Sequence, residues 1–192
     1  MASNGWPKKP RREPPRLEES ALWDYALGAL GRRAFSVGEL HQRLVRKAAE
    51  PRDVDRVVAR LKEYGYLNDE RFAETFAQSR LDNRGLGQHR VLRDLRQRRV
   101  GSKVAEQAVL RTYADTDETS LAAEFVARKF RSKDLAVYLA DPRNLASAYR
   151  KLRYAGFSSS ASIRVLKRHS AQAEELEQME ESNEGAEDPK IH

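Results

Sequence analysis

Arginine is the residue whose type and spacing could do chemistry in this chain. From Arg80 to Arg111 stand Arg80, Arg84, Arg90, Arg93, Arg96, Arg98, Arg99, Lys103 and Arg111, opposed by Asp82, Asp94 and Glu106, a net of +6. Arg93, Arg96 and Arg99 recur every third residue, with Arg90 one step back. On a helix they form a ridge opposite or beside an apolar stripe at Leu92 and Leu95. A second group is Arg143, Arg150, Lys151, Arg153, Arg164, Lys167 and Arg168, with no Asp or Glu in its span and with Tyr149 and Tyr154 among it. Planar guanidinium forks bind phosphates and carboxylates through paired, charge-assisted hydrogen bonds. The chemistry expected is therefore recognition of an anionic surface. The competing reading of either run is an ordinary solvated face.

Signals for catalysis or metal binding fail one by one. The chain has no cysteine, which removes disulfides, thiolate zinc sites and thiol nucleophiles together. His41 and His89 lack the spacing of metal ligands, and His169 and His192 lie at or in the tail. Gly85-Leu86-Gly87 has neither a preceding strand nor a following Gly-Lys-Ser/Thr, so it reads as a helix cap and restart rather than a phosphate loop. Trp23 and Tyr25 read as core or repeat-interface residues, and Trp6 as a possible partner anchor. Paired acids at Glu18-Glu19 and Asp69-Glu70 fall at helix starts, where the dipole explains them. The expectation is no enzyme, no metal and no cofactor.

The charge of the whole chain is uneven. The formal total is +7, yet residues 170–192 hold eight acids against Lys190, a net of −7. Subtracting that −7 from +7 leaves +14 on the rest, a balance that favours phosphate or an acidic protein as partner. No apolar run approaches the roughly 18 residues of a membrane span. The start, Met1 to Arg16, carries charge but no apolar stretch of a secretory signal. A soluble, cytoplasmic protein without membrane contact is expected, and nothing in the sequence calls for an obligate dimer, so a monomer is expected too.

Helices must position these arginines. Only 10 Gly and 7 Pro occur, and six of those lie before Pro15 or after Ser170, so sheet-type turns are scarce and the fold class is all-α. A first helix spans roughly 19–33, with Leu22, Ala26, Ala29 and Leu30 on one face. Ser36-Val37-Gly38-Glu39 is a capping box opening a helix with Leu40 and Leu44. Pro51 opens the next, whose Val54, Val57, Val58 and Leu61 fall at i, i+3, i+4 and i+7. Gly65 is placed for a left-handed cap, and Asn68 caps a helix carrying Phe72, Ala73, Phe76 and Ala77. After a break at 83–87, Val91, Leu92 and Leu95 mark one helix and Val104, Ala108 and Val109 another. Leu121, Ala122, Phe125 and Val126 form a further stripe, continued less regularly by Leu135 and Leu139. Asp141-Pro142 opens a helix with Leu145, Ala146, Tyr149 and Leu152, and Ser158 or Ser159 caps a last one with Ile163 and Leu166.

Laid over one another, these are three units of about 50 residues. Leu95-Arg96-x-x-x-Val100 matches Leu152-Arg153-x-x-x-Phe157, and the first copy runs from Leu44 through Leu61. The expected organisation is a disordered basic, Pro-rich arm (1–18), helical repeats at 19–68, 69–115 and 116–169, and an acidic disordered tail (170–192). Short helices that cannot each close a core must stack, so three tandem three-helix repeats in an elongated, curved array are expected.

The segment Tyr64-Gly65-Tyr66-Leu67-Asn68-Asp69-Glu70-Arg71-Phe72-Ala73 resembles the hallmark of the RecX family, regulators of the RecA recombinase. Arg80, Gly85-x-Gly87, Arg90 and Leu95-Arg96 follow at the family's spacing, and Arg32-Arg33-x-x-Ser36-x-x-Glu39-Leu40-x-x-x-Leu44 is similar to its opening motif. The resemblance covers roughly residues 21–168. Two positions depart from it. Lys47-Ala48-Ala49 stands where the family has a lysine-glycine turn, and Arg99 stands where it has a glycine. The resemblance implies a helical repeat protein that lies in the groove of the RecA–DNA filament, lowers its ATP hydrolysis and strand exchange, and disfavours its growth. The partners implied are the RecA filament and DNA, met directly or through the filament. The alternative is a direct DNA binder of helix-turn-helix type, whose reading set would be Gln88, His89 and Arg90.

Overall fold

A computed structural model describes residues 16–173. Within them lie ten helices, no strand and one isolated parallel bridge. The chain divides into two compact units at Leu67/Asn68.

The first unit holds α1 (Glu19–Leu30), α2 (Val37–Val45) and α3 (Pro51–Glu63). The capping box at α2 is complete. Glu39 donates its backbone N–H to Ser36 Oγ (3.1 Å), and Ser36 donates its own to Glu39 Oε2 (3.4 Å). Leu22, Leu40, Leu44, Val54, Val57 and Leu61 close the core of this three-helix repeat. The i, i+3, i+4, i+7 stripe of α3 is buried throughout, as its period requires. One expectation needs correction here. Residues 16–18 do not belong to a free arm, because Leu17 donates to the Lys47 carbonyl (2.7 Å) and accepts from Ala49 N–H (2.8 Å). Residues 1–15 lie outside the described residues.

The second unit holds two further repeats. The first is α4 (Asp69–Arg84), α5 (Gln88–Gln97) and α6 (Ser102–Thr112); the next is α7 (Glu118–Lys129), a short α8 (Leu135–Leu139), α9 (Pro142–Ala155) and α10 (Ser159–Lys167). Side-chain caps at Asn68, Asp117, Asp134, Asp141 and Ser158 start α4, α7, α8, α9 and α10 by accepting first-turn N–H groups. The buried stripes are shifted at two places. α9 buries Ala148 and Ala155 beside Leu145 and Leu152, where Ala146 and Tyr149 were expected, and α6 buries Ala105 rather than Val104. Residues 170–173 likewise do not belong to a free tail, since Ala173 is fully buried in the core of the last repeat. Residues 174–192 lie outside the described residues.

Two of these helices end in the same closure. Val100 N–H bonds the Leu95 carbonyl after α5, and Phe157 N–H bonds the Leu152 carbonyl after α9, each at 3.2 Å. Such a closure requires a left-handed residue. Gly156 supplies it at φ +95°, but Arg99 supplies it at φ +60° with a full side chain. A non-glycine residue pays roughly 1–2 kcal/mol for that conformation. The glycine expected at this position is thus replaced at the level of sequence but not of backbone geometry.

The two repeats of this unit meet at a glycine pair. Gly87 N–H bonds the Ala155 carbonyl (2.9 Å), and His89 N–H bonds the Gly156 carbonyl (3.2 Å). A Cβ on Gly87 would lie 2.2 Å from the Gly156 carbonyl oxygen; one on Gly156 would lie 2.2 Å from Arg90 N. Backbone touches backbone there, which only glycine permits. Leu86, next to this contact, packs against both buried clusters of the unit.

Candidate anion-binding cleft

The glycine contact brings the start of α5 against the end of α9, and a cleft of about 530 Å³ opens beside it. Its cations are Arg84 at the end of α4, Arg90 on α5, Lys129 at the end of α7, and Arg150 and Lys151 on α9. Leu86, Phe125 and Ala155 supply apolar surface, while Ser147 and Tyr154 complete the wall. On α9 the lining positions 147, 150, 151, 154 and 155 are one helical face. Among the described residues, no acid lines the cleft.

Ion pairing separates structural arginines from uncommitted ones. Arg90 Nε meets Asp94 at 2.8 Å, Arg96 meets Glu106 at 3.1 Å, and Arg111 meets Glu74 at 3.0 Å. Arg93 donates to the Tyr154 carbonyl (3.1 Å) and lies 5.6 Å from its ring centroid; Arg90 lies 4.6 Å from that ring. The Tyr154 side chain and the Asp94 carboxylate beside Arg90 hold its guanidinium above the ordinary value, and Arg90 also donates to the Tyr154 carbonyl (3.4 Å). Arg153 donates to the Phe157 carbonyl (2.8 Å), closing the turn after α9. Arg84, Lys129 and Arg150, by contrast, have no acid partner among the described residues. They are exposed, so their charge is available to a ligand.

Arg80 reports on the resulting field. It is partly buried over Phe76 (4.5 Å), and its Nε has no hydrogen-bond partner among the described residues. Burial pushes its guanidinium below the ordinary value, and the neighbouring Arg84, Arg98 and Arg90 push it further while Asp94 opposes them.

The two arginine groups read from the sequence are thus partly united and partly dispersed. Arg84 and Arg90 meet Arg150 and Lys151 across the cleft. Arg93, Arg96 and Arg99 do not make one ridge, because α5 ends at Gln97 and Arg99 sits in the left-handed turn beyond it. Arg143 lies in the first turn of α9, away from the cleft. Arg164 reaches Thr119 Oγ1 (3.4 Å), and Lys167 and Arg168 close α10. The acid-free span 143–168 also acquires one acid from α7. Glu118 accepts from Ser158 N–H and Oγ, both at 2.7 Å.

Lys129 was missed because it lies between the two windows of charge, at the end of α7. A scan for basic last turns would have found Arg128 and Lys129. In the hallmark segment, Gly65 is left-handed at φ +71°, and Asn68 Oδ1 accepts from Arg71 N–H (2.8 Å). Tyr64 and Tyr66 are exposed and meet Trp23 edge-on. Phe72 stacks on Phe76, Asp69 stands in the first turn of α4, and Leu67 joins the first core. Gln88, His89 and Arg90 do open α5, but that turn abuts Gly156 and Arg90 is tied to Asp94. No group of three metal-ligating side chains forms, and no helix is long and apolar enough to cross a membrane, among the described residues.

Comparison with known proteins bears on this arrangement. Residues 23–61 match the family described as RecX, first three-helix domain, and residues 68–109 match RecX, second three-helix domain. The chain is 31% identical over 139 residues to the regulatory protein RecX of Syntrophotalea carbinolica, covering 72% of this chain and 89% of that one. It is 35% identical over 153 residues to the regulatory protein RecX of Deinococcus radiodurans, covering 79% and 70%. The crystal structure of RecX from Lactobacillus salivarius superposes with a TM-score of 0.62 at 17% identity, over 78% of this chain and 95% of that one, a likeness of fold.

Proposed function

The chain belongs to the RecX family of regulatory proteins, and from that premise we propose that it is a non-enzymatic, cytoplasmic regulator of the RecA recombinase. It binds the RecA–DNA filament as a monomer and lowers ATP hydrolysis, strand exchange and filament extension. The three repeats, read as 19–68, 69–115 and 116–169, act as a helical scaffold. Basic faces on that scaffold bridge adjacent protomers in the filament groove and touch DNA or acidic protein surface there. A rigid bridge holds the protomer interface away from the geometry that hydrolysis and protomer addition need.

The observation that supports this reading best is the cleft of the second unit. Arg84, Lys129 and Arg150 converge there without acid partners among the described residues, at a junction held by the Gly87–Gly156 backbone contact. Truncating or reversing charges that pair across an interface costs about 2–5 kcal/mol. The double variant Arg84→Glu/Arg150→Glu is therefore expected to weaken inhibition of RecA ATPase roughly a hundredfold, with an unchanged melting curve. Undiminished inhibition by the folded variant removes the cleft from the mechanism.

A further inference from the structure

The first unit carries a cation cluster of its own. Arg43, Arg46 and Lys47 fall at i, i+3 and i+4, on one side of α2 and the turn that extends it. Arg43 Nε donates to Tyr25 Oη (2.8 Å), and Lys47 Nζ lies 6.0 Å from the Tyr25 ring centroid. Arg33 covers the buried Phe35 ring at 3.6 Å, with Arg43 5.7 Å from the same ring. Arg16 joins them at the edge of the turn, donating to the Ala48 carbonyl (3.4 Å). Glu39, the acid one turn before Arg43, is held by Arg33 (3.2 Å). Arg43, Arg46 and Lys47 have no acid partner among the described residues.

What this face offers a ligand is hydrogen-bond donors. Guanidinium and ammonium groups only donate. Because Tyr25 Oη already accepts from Arg43, its own hydrogen is left to donate outward. Phe35 is buried and Tyr25 has Arg43 and Lys47 against it, so a base finds no open ring to stack on. A protein partner would look for an apolar core to its interface, and these side chains supply none. The fitting ligand is an anion with several acceptor oxygens, no apolar body, and a repeat that meets several cations in turn. A phosphodiester backbone has that chemistry. We infer that the face formed by Tyr25, Arg43, Arg46 and Lys47 on the first unit holds a nucleic-acid backbone without reading its bases. This contact needs neither a recombinase nor the cleft of the second unit, so it stands or falls apart from the RecA reading.

Fluorescence anisotropy of a labelled oligo-dT strand, with the full chain and no recombinase, tests it. Each phosphate neutralised on a single strand contributes about −0.7 to the slope of log K against log salt. The variant Arg43→Gln/Arg46→Gln/Lys47→Gln is therefore expected to flatten that slope by about 2 and to weaken binding more than about tenfold at low salt. Tyr25→Phe keeps the ring, loses the donor, and is expected to weaken binding about threefold. The variant Lys62→Gln/Arg131→Gln/Lys133→Gln removes the same charge from exposed positions elsewhere and is expected to change affinity less than about twofold. A mixed-sequence strand should bind as oligo-dT does. No binding by the unaltered chain, an unchanged slope in the folded Arg43/Arg46/Lys47 variant, or an equal loss in the charge-matched variant would each overturn the inference. Loss of binding to poly-glutamate with the strand still held would give the face to an acidic protein and overturn it too.

Discussion

Gly87→Ala tests whether the junction behind the cleft is as tight as its geometry implies. The added Cβ would lie 2.2 Å from the Gly156 carbonyl oxygen and 2.6 Å from Phe157 N, where ordinary contact begins at 3.4 Å. Relief needs a separation of roughly 1.2 Å between the start of α5 and the end of α9. That movement breaks the bonds from Gly87 N–H to the Ala155 carbonyl and from His89 N–H to the Gly156 carbonyl. Two buried backbone bonds contribute about 1 kcal/mol each, and forced overpacking costs about 1–3 kcal/mol. The expected loss is about 3–5 kcal/mol, a large share of the 5–15 kcal/mol typical of a domain. Hydrogen exchange read by mass spectrometry localises it, with faster exchange in peptides from α5 and α9. Gly28→Ala is the control, because Gly28 is helical, in the last turn of α1, and among the described residues nothing lies within 4 Å of its Cβ. That change is expected to stabilise by about 0.5–1 kcal/mol. A loss under about 1 kcal/mol for Gly87→Ala would refute the close-approach argument.

Three further outcomes follow from single positions. Arg99→Gly removes a left-handed arginine worth roughly 1–2 kcal/mol of strain and adds unfolded-state entropy worth about 0.4–1 kcal/mol; chemical denaturation should show a net gain of about 0.5–1 kcal/mol. Tyr113→Phe loses the hydroxyl bond to the Leu86 carbonyl (2.6 Å), and a destabilisation of about 1–2 kcal/mol is expected in the same assay. Burial holds the Tyr113 phenol above its ordinary 10.0, so its contribution is full below pH 10 and falls as pH rises beyond it; the phenylalanine variant should lose part of that alkaline decline. Ser36→Ala breaks a capping box whose serine is fully buried, and thermal unfolding should report a loss of about 1–2 kcal/mol.

What was legible in the sequence is what local chemistry decides. Ser36 with Glu39, Asn68, and Asp141 before Pro142 act through bonds that span two or three residues, so their pattern alone identifies them. The stripe of α3 was equally plain, because four branched or large residues share one period. The stripe of α9 was not. Alanine at 146 and 148 carries too little apolar surface to mark which side is buried, and the neighbouring helices decide. Gly87 read as a helix start, and it is one. Its second duty, admitting the Gly156 carbonyl from another repeat, leaves no trace within a few residues of it. Arg99 shows the converse, a backbone requirement retained where the residue that usually reports it is missing.

The same limit applies to charge. A run of arginines in sequence measures the supply of positive charge, whereas function depends on what remains after the fold has spent it. Asp94 sits four residues after Arg90 and takes it; Glu106, Glu74 and the carbonyls of Tyr154 and Phe157 take Arg96, Arg111, Arg93 and Arg153. Arg84, Lys129 and Arg150 come from three different helices, so no sequence window contains them together. Their like charges repel across a shared cleft, and the cost is tolerable only on a scaffold fixed by other contacts. The glycine pair and the Leu86 packing supply that scaffold. A folded chain gains nothing for its own stability from such a cluster, which is why these three cations, rather than the longer arginine series of α5, are the ones to reverse first.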